Sequence, residues 1–254
     1  MLLLTARLAL AHDHAQVSAS GESLEPSVGF RGAAFAYSGY RTGSYFTVSP
    51  ALTMANAAGV WGSFAVPIHH LTFVGSSETG PGDVMAGVGC SALRRGAWSL
   101  EPALWTMWPT GDSHASLGSA HVMLSPELGL GLKLGRWSGR FVLATRVAIP
   151  AGEHGLHEHQ PLVAPHDLVD VKATMQAGVM LFERLELGAH LDPVIVAVPH
   201  PVQPVGTRVS AGVAAGLTLG VFRLGVSASV PLTANRTYDW AIDASVSARL
   251  AERL

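Results

Sequence analysis

In the stretch Val209, Ala211, Val213, Ala215, Leu217 every second residue is apolar, and the positions between them are Ser210, Gly212, Ala214, Gly216 and Thr218. The following stretch repeats the rule with Leu224, Val226, Ala228, Val230 and Leu232 over Gly225, Ser227, Ser229 and Pro231. A period of two is the mark of a strand with one apolar face and one small or polar face. Elsewhere the second face is charged: Val169, Val171, Ala173, Met175, Ala177, Val179 and Leu181 alternate with Asp170, Lys172, Thr174, Gln176 and Gly178. Tyr238, Trp240, Ile242, Ala244, Val246, Ala248 and Leu250 alternate likewise with Asp239, Asp243, Ser245, Ser247 and Arg249.

Composition indicates what the apolar face meets. Charged residues make up 13% of the chain, against about 25% in soluble domains, so part of the surface faces an apolar solvent. Two regions invite a reading as transmembrane helices. Residues 42–77 carry no Asp, Glu, Lys or Arg, and between Val209 and Leu232 the residues Gly212, Gly216 and Gly220 have the small-residue spacing of paired membrane helices. A helix over the charged segments, however, would turn their ionised side chains into lipid at about 2.5–3.5 kcal/mol each. A strand keeps them all on one side.

Applied along the chain, the alternation predicts strands near residues 27–38, 44–55, 58–70, 82–93, 97–108, 120–134, 139–149, 168–181, 184–198, 206–219, 222–232 and 237–250. Such lengths let a tilted strand cross the roughly 25 Å apolar band of an outer membrane, and single-chain bacterial barrels have an even number of strands. The connections alternate too. Short ones fall at Asn56-Ala57, Arg94 to Gly96, Gly135 to Ser138, Phe182-Glu183 and Gly220-Val221, and longer ones at 39–43, 71–81, 109–119, 150–167, 199–205 and 233–236. Outer-membrane barrels have short periplasmic turns and longer outer loops, which would put both termini in the periplasm. Trp61, Trp98 and Trp137 at the turn side and Trp108 and Trp240 at the loop side read as aromatic girdles. The expected fold is therefore all-β, an antiparallel up-and-down transmembrane β-barrel of about twelve strands over residues 27–250. A β-sandwich or lipocalin-like barrel also alternates, but its strands are shorter and its apolar face points inward.

The segment 1–26 reads as a signal-like stretch and periplasmic N-terminal tail. Apolar runs at Leu2 to Leu4 and Leu8 to Leu10 precede a small-x-small site at Ala9-Leu10-Ala11, although Arg7 interrupts them. Cys90 is the sole cysteine, so no intrachain disulfide or cysteine-based metal site exists. The 16 Lys and Arg are scattered, adjacent only at Arg94-Arg95, and the net charge is -2, which gives no footprint for nucleic acid. The expected partners are outer-membrane lipid and a small-molecule cargo, and the periodicity fits a monomer or a homo-oligomer of barrels equally.

The run Gly82-Asp83-Val84-Met85-Ala86-Gly87-Val88-Gly89, followed by Pro109-Thr110-Gly111-Asp112 and by Leu117-Gly118-Ser119 leading into Leu128-Gly129-Leu130-Gly131, resembles the outer-membrane transporters of the phenol-degradation MetA-pathway type. The resemblance is sharpest over residues 82–150. It implies a barrel that transports small, often aromatic, hydrophobic compounds. In local terms Pro109 ends a strand, Gly111 and Asp112 favour a turn, and Gly118 permits a backbone conformation that other residues avoid.

If the phase is right, the lumen is lined by Asp83, Glu101, Glu127, Lys133, Arg140, Arg146, Asp170, Lys172, Glu186, His190, Asp192, Arg208, Asp239, Asp243 and Arg249. Their mixed signs indicate a hydrated interior laced with ion pairs rather than a strongly ion-selective pore. Gly87, Gly89, Gly129, Gly131, Gly212 and Gly216 share that face and would leave room for a narrow channel or a single-ligand cavity. Histidine gathers outside the strands: His154, His157 and His159 beside Glu158 in the 150–167 loop offer a candidate site for Zn, Ni or Cu. No G-x-S-x-G occurs, so nucleophilic catalysis has no linear motif here. The sequence therefore favours a channel or transporter and no resident cofactor. A metal-binding surface protein acting through the His-rich loop is the second reading, and a barrel-embedded hydrolase the third.

Overall fold

The computed structural model describes residues 23–251 apart from 38–40, 74, 92, 151–165, 202–203 and 236. Its strand segments form one antiparallel sheet that closes on itself into a barrel of twelve strands. We number them β1 (Ser23–Tyr37), β2 (Arg41–Ala55), β3 (Val60–Ala65 continued by Ile68–Phe73), β4 (Ser76–Pro81, Val84–Cys90 and Leu93–Arg95), β5 (Trp98–Trp108) and β6 (His121–Leu134). The second half comprises β7 (Trp137–Pro150), β8 (Val169–Leu181), β9 (Leu185–Val198), β10 (Arg208–Leu219), β11 (Phe222–Pro231) and β12 (Trp240–Ala248 with Leu250–Ala251). Residues 1–22 of the signal-like segment and tail lie outside the described residues, and β1 begins at Ser23, ahead of the residue 27 read from the alternation, so residues 23–26 are strand.

Each strand pairs with its sequence neighbours, and β1 pairs with β12 from Ser27 opposite Ser247 to Ala34 opposite Trp240. That last pairing removes the open edges a twelve-stranded sheet would otherwise expose. Short turns are made where the backbone must enter the left-handed region: Gly96, Gly135 and Gly220 have φ of 61°, 58° and 60°. At the β8–β9 turn the same conformation is taken without glycine, by Phe182 and Glu183 at φ 52° and 59°. Two-residue hairpins favour such turns because their twist matches that of the strands.

Burial is inverted relative to a soluble protein. Along β12 Trp240, Ile242 and Val246 are exposed by 46%, 49% and 40%, whereas Ala241, Asp243 and Ser247 between them are buried. Val213, Val226, Phe64 and Ile195 are likewise half or more exposed, while Asp170, Lys172, Asp192 and Arg31 are buried. The apolar face is the outside and the charged face the lumen, the opposite of what a sandwich or lipocalin-like barrel requires. No helix among the described residues is long and apolar enough to cross a membrane.

Three details of the sequence reading are corrected. Residues 71–81, expected as a loop, mostly continue as a hairpin, with Leu71 opposite Glu78 and Phe73 opposite Ser76, because Gly75 takes the left-handed turn at φ 85°. Trp61 does not belong to a girdle: it is buried and its ring lies 5.4 Å from that of Trp105. Tyr238, assigned to the outer face, is 2% exposed and packs among Ala33, Tyr45 and Leu71, because β12 does not begin until Trp240 and the chain before it dips into the mouth. Trp98 and Trp137 remain exposed at the turn end, and Trp108 and Trp240 at the loop end.

Candidate functional site: the lumen and its two mouths

At the loop end residues 109–119 fold inward between β5 and β6. Leu117 is buried there with Tyr45, Leu71, Tyr238, Ala33 and Ala241. The residues of the resembled motif hold it in place. The Asp83 carboxylate accepts hydrogen bonds from the backbone N–H of Gly111 at 3.0 Å and of Ser119 at 2.7 Å. The Thr110 hydroxyl donates to the Gly82 carbonyl at 3.1 Å and accepts from the Val84 N–H at 2.9 Å. Asp112 accepts from His114 and Ala115 N–H, turning the chain back. Gly111 and Gly118 cross so closely that a Cβ on Gly118 would sit 2.4 Å from the Gly111 carbonyl oxygen. Pro109 follows Trp108, the last residue of β5. Burial lifts the Asp83 carboxyl above the usual carboxylate range, and the N–H groups of Ser119 and Gly111 pull the other way. Ser116 and Ala120 take φ of 60° and 50°, an uncommon conformation for side-chain-bearing residues that concentrates strain in this loop.

Below this loop the lumen wall is lined by paired charges. Arg31 Nη1 lies 3.0 Å from Asp243 Oδ1, and Arg31 Nε donates to the Tyr45 hydroxyl at 3.1 Å. Arg146 is bonded to Asp170, directly opposite it in register, and Arg208 Nη2 lies 3.9 Å from the same carboxylate. Asp192 gathers Lys172 at 3.3 Å, His190 at 3.5 Å and the Thr174 hydroxyl at 2.7 Å. Nearer the turns Arg140 pairs with Glu101 at 2.9 Å and Arg223 with Glu186 at 3.3 Å. Glu127 is half-buried on β6 opposite Ala103 and Ala144. Lys133 is exposed at the turn end. Arg249 lies 3.8 Å from Glu25, and Asp239 precedes β12 with its N–H bonded to the Ala34 carbonyl at 2.8 Å.

The glycines of this face make room for neighbours rather than for an open bore. A Cβ on Gly87 would fall 2.3 Å from the Trp105 ring, one on Gly89 2.5 Å from Trp61, and one on Gly212 2.5 Å from His190. Two cavities open toward the turns. A vestibule of about 400 Å³ is lined by Trp98, Ser99, Glu101, Lys133, Arg136, Arg140 and Glu186, and a further cavity of about 70 Å³ by Gln176, His190, Arg223 and Ser227.

Arg31, Glu25, Arg223 and Tyr45 were not among the residues singled out from sequence. The signal was present for two of them: Arg31 stands between Phe30 and Gly32 in the alternation of β1, and Arg223 between Phe222 and Leu224. His154, His157 and His159 lie outside the described residues.

A closed barrel with an apolar outside and a charged inside has the architecture of small bacterial outer-membrane barrels. Solved structures bear this out. The chain is similar to the COG4313 outer-membrane channel from Pseudomonas putida F1, with a TM-score of 0.67 and 12% identity over 91% of this chain and 96% of that one. It is also similar to the NanC porin (TM-score 0.53, 7% identity, 90% and 99% covered) and to the KdgM porin solved with disordered oligogalacturonate (TM-score 0.54, 8% identity, 89% and 98% covered). These structures are named as channels and porins. No family model and no curated protein matches the chain in sequence.

Proposed function

We infer that the chain is a gated channel of the bacterial outer membrane, of the phenol-degradation MetA-pathway type, that passes small hydrophobic or aromatic molecules through its lumen. The observation that carries this reading is the seating of Leu117. Its side chain fills an apolar site made by Tyr45, Leu71 and Tyr238 at the loop end of the lumen, and a cargo with an aromatic or aliphatic body would occupy the same seat once the 109–119 loop swings away. The vestibule at the other end supports an exit toward the short turns. With those turns in the periplasm, both termini are periplasmic and the plug faces outward.

The ion-pair ladder between the two ends supports a narrow path rather than a wide aqueous pore. Arg31–Asp243, Arg146–Asp170 and Lys172–Asp192 line its wall with long paired side chains, and twelve strands enclose less space than the sixteen to eighteen of a water-filled porin. The test is uptake into liposomes. Vesicles containing wild-type protein should admit small aromatic solutes slowly, and vesicles containing Leu117→Asp, or a chain with 113–117 replaced by a short glycine linker, should admit them several-fold faster. A barrel that stays sealed to all solutes with the plug removed would defeat the channel reading.

A further inference from the structure

We propose that His121, His166 and His200 form a site for one divalent transition-metal ion that staples three outer loops together over the barrel mouth. The three residues come from separate stretches of chain: His121 opens β6, His166 stands just before β8, and His200 follows β9. All three are buried, at 0%, 0% and 2% exposure. Their ring centroids lie 4.8, 6.1 and 6.3 Å apart, with planes inclined at 77°, 74° and 84°. Imidazoles bound tetrahedrally to one ion through metal–nitrogen bonds of about 2.0–2.1 Å have centroids roughly 5 Å apart, so the cluster is already close to that spacing.

The positions are held from outside, as a metal site requires. His121 Nδ1 lies 2.6 Å from the Ser119 carbonyl; a proton donated there leaves Nε2 as the nitrogen with a lone pair, the usual second-layer arrangement for a ligating histidine. The buried Asp167 carboxylate, adjacent to His166, accepts the N–H of His200 at 3.0 Å and of Val205 and Gly206 at 3.1 and 3.2 Å. It thereby fixes the His200 loop against the His166 segment. The ligand set is not converged as it stands. His166 Nε2 lies 3.3 Å from His121 Nδ1, and among the described residues no group of three donors meets metal-binding geometry. Closure on an ion requires the His166 ring to leave the Nδ1 edge of His121, which faces Ser119, and to turn toward its Nε2 edge, a movement through χ1 and the broad χ2 torsion. An all-imidazole set without thiolate selects Zn(II), Ni(II), Cu(II) or Co(II) over Mg(II) or Ca(II). Because Ser119 also bonds to Asp83, an ion bound here would lock the plug as well as the loops.

The site is independent of whether the barrel conducts. The test is Co(II) and Zn(II) titration of the full-length barrel folded in detergent, followed by visible absorption for Co(II) and calorimetry for Zn(II). Wild type should bind one equivalent saturably and show a tetrahedral Co(II) spectrum. The affinity should fall at least tenfold in His121→Ala and in His200→Gln, each shown to be closed by its heat-modifiable gel mobility. The combined variant His154→Ala, His157→Ala, His159→Ala should keep the site. No saturable binding in wild type overturns the proposal without reference to any variant, and so does binding that survives both single changes or that disappears only with the three loop histidines.

Discussion

Arg31 and Asp243 face each other across the seam where the first strand meets the last, in register as a Cα pair and joined by a 3.0 Å ion pair. The contact spans almost the whole length of the chain, so it forms only when the barrel closes. Both side chains are nearly inaccessible to water. Removing one partner would strand the other charge in a poorly solvated interior, which costs about 3–5 kcal/mol, whereas replacing both with apolar groups of similar size is often neutral. Asp243→Ala should therefore destabilise the folded barrel by about that amount, and Arg31→Met with Asp243→Leu should recover most of it. Urea titration of the folded protein in lipid vesicles, read by tryptophan emission, measures the difference. Two single changes that add in the double variant would remove the pair from any role in closure.

The glycines of the lumen make a second prediction. Gly87 stands beneath Trp105, which in turn contacts Trp61. A methyl group at Gly87 would fall 2.3 Å from the Trp105 ring, so the ring must leave its place, and overpacking of this kind costs about 1–3 kcal/mol. Gly87→Ala should lower stability and diminish the near-ultraviolet dichroism of the tryptophan pair. Trp105→Leu in the same background should restore part of the stability. Unchanged dichroism in Gly87→Ala would mean that the two tilted rings do not pack in this way.

How far this architecture was legible in the sequence follows from which forces act locally. Ile242 and Asp243 are adjacent, and lipid on one side and lumen on the other separate them by the pleat alone, so a period of two displays the barrel wall directly. The twelve strands and the alternation of short and long connections follow from the same signal. Trp61 and Tyr238 were misassigned because they sit at strand ends, where a residue's direction is decided by what fills the mouth and not by the pleat. Glu25 and Tyr45 went unnoticed because their partners, Arg249 and Arg31, come from other parts of the chain. The motif Pro109-Thr110-Gly111-Asp112 could be seen, but its purpose could not, since Asp83 reaches it only after β4 and β5 have paired. The gathering of His121, His166 and His200 has no linear pattern at all.

The inverted burial yields a third prediction. Val226 is exposed by 51% near the middle of β11, and an arginine at the bilayer midplane of a barrel costs about 2–4 kcal/mol. Val226→Arg should lose about that much stability in lipid, with little change in the ion pairs on the other face. Ser227→Lys, whose side chain would enter the 70 Å³ lumen cavity, should lose much less. Equal losses for the two substitutions would contradict an outer surface in contact with acyl chains.

The plug supplies the last prediction, because Asp83 couples its closure to pH. In the docked state burial raises the Asp83 carboxyl above its ordinary value of 3.8, and in an undocked loop the carboxyl meets water and returns toward that value. The docked state thus binds protons more readily than the undocked one. By linkage, the contribution of protonation to docking is complete below the ordinary value and is lost as pH rises through the elevated one. Acidification should therefore favour the closed mouth, and opening should increase as pH climbs from about 4 through the raised value, then level off. Asp83→Asn keeps a carbonyl to accept an N–H of Gly111 or Ser119 but cannot ionise, so its opening should lose this dependence. Protease cleavage within 109–119, timed across pH 4–7 for wild type and Asp83→Asn in vesicles, reads the opening without requiring a known cargo. A slope of the opposite sign in wild type, or the same slope in both proteins, would show that some other group sets the closure of the mouth.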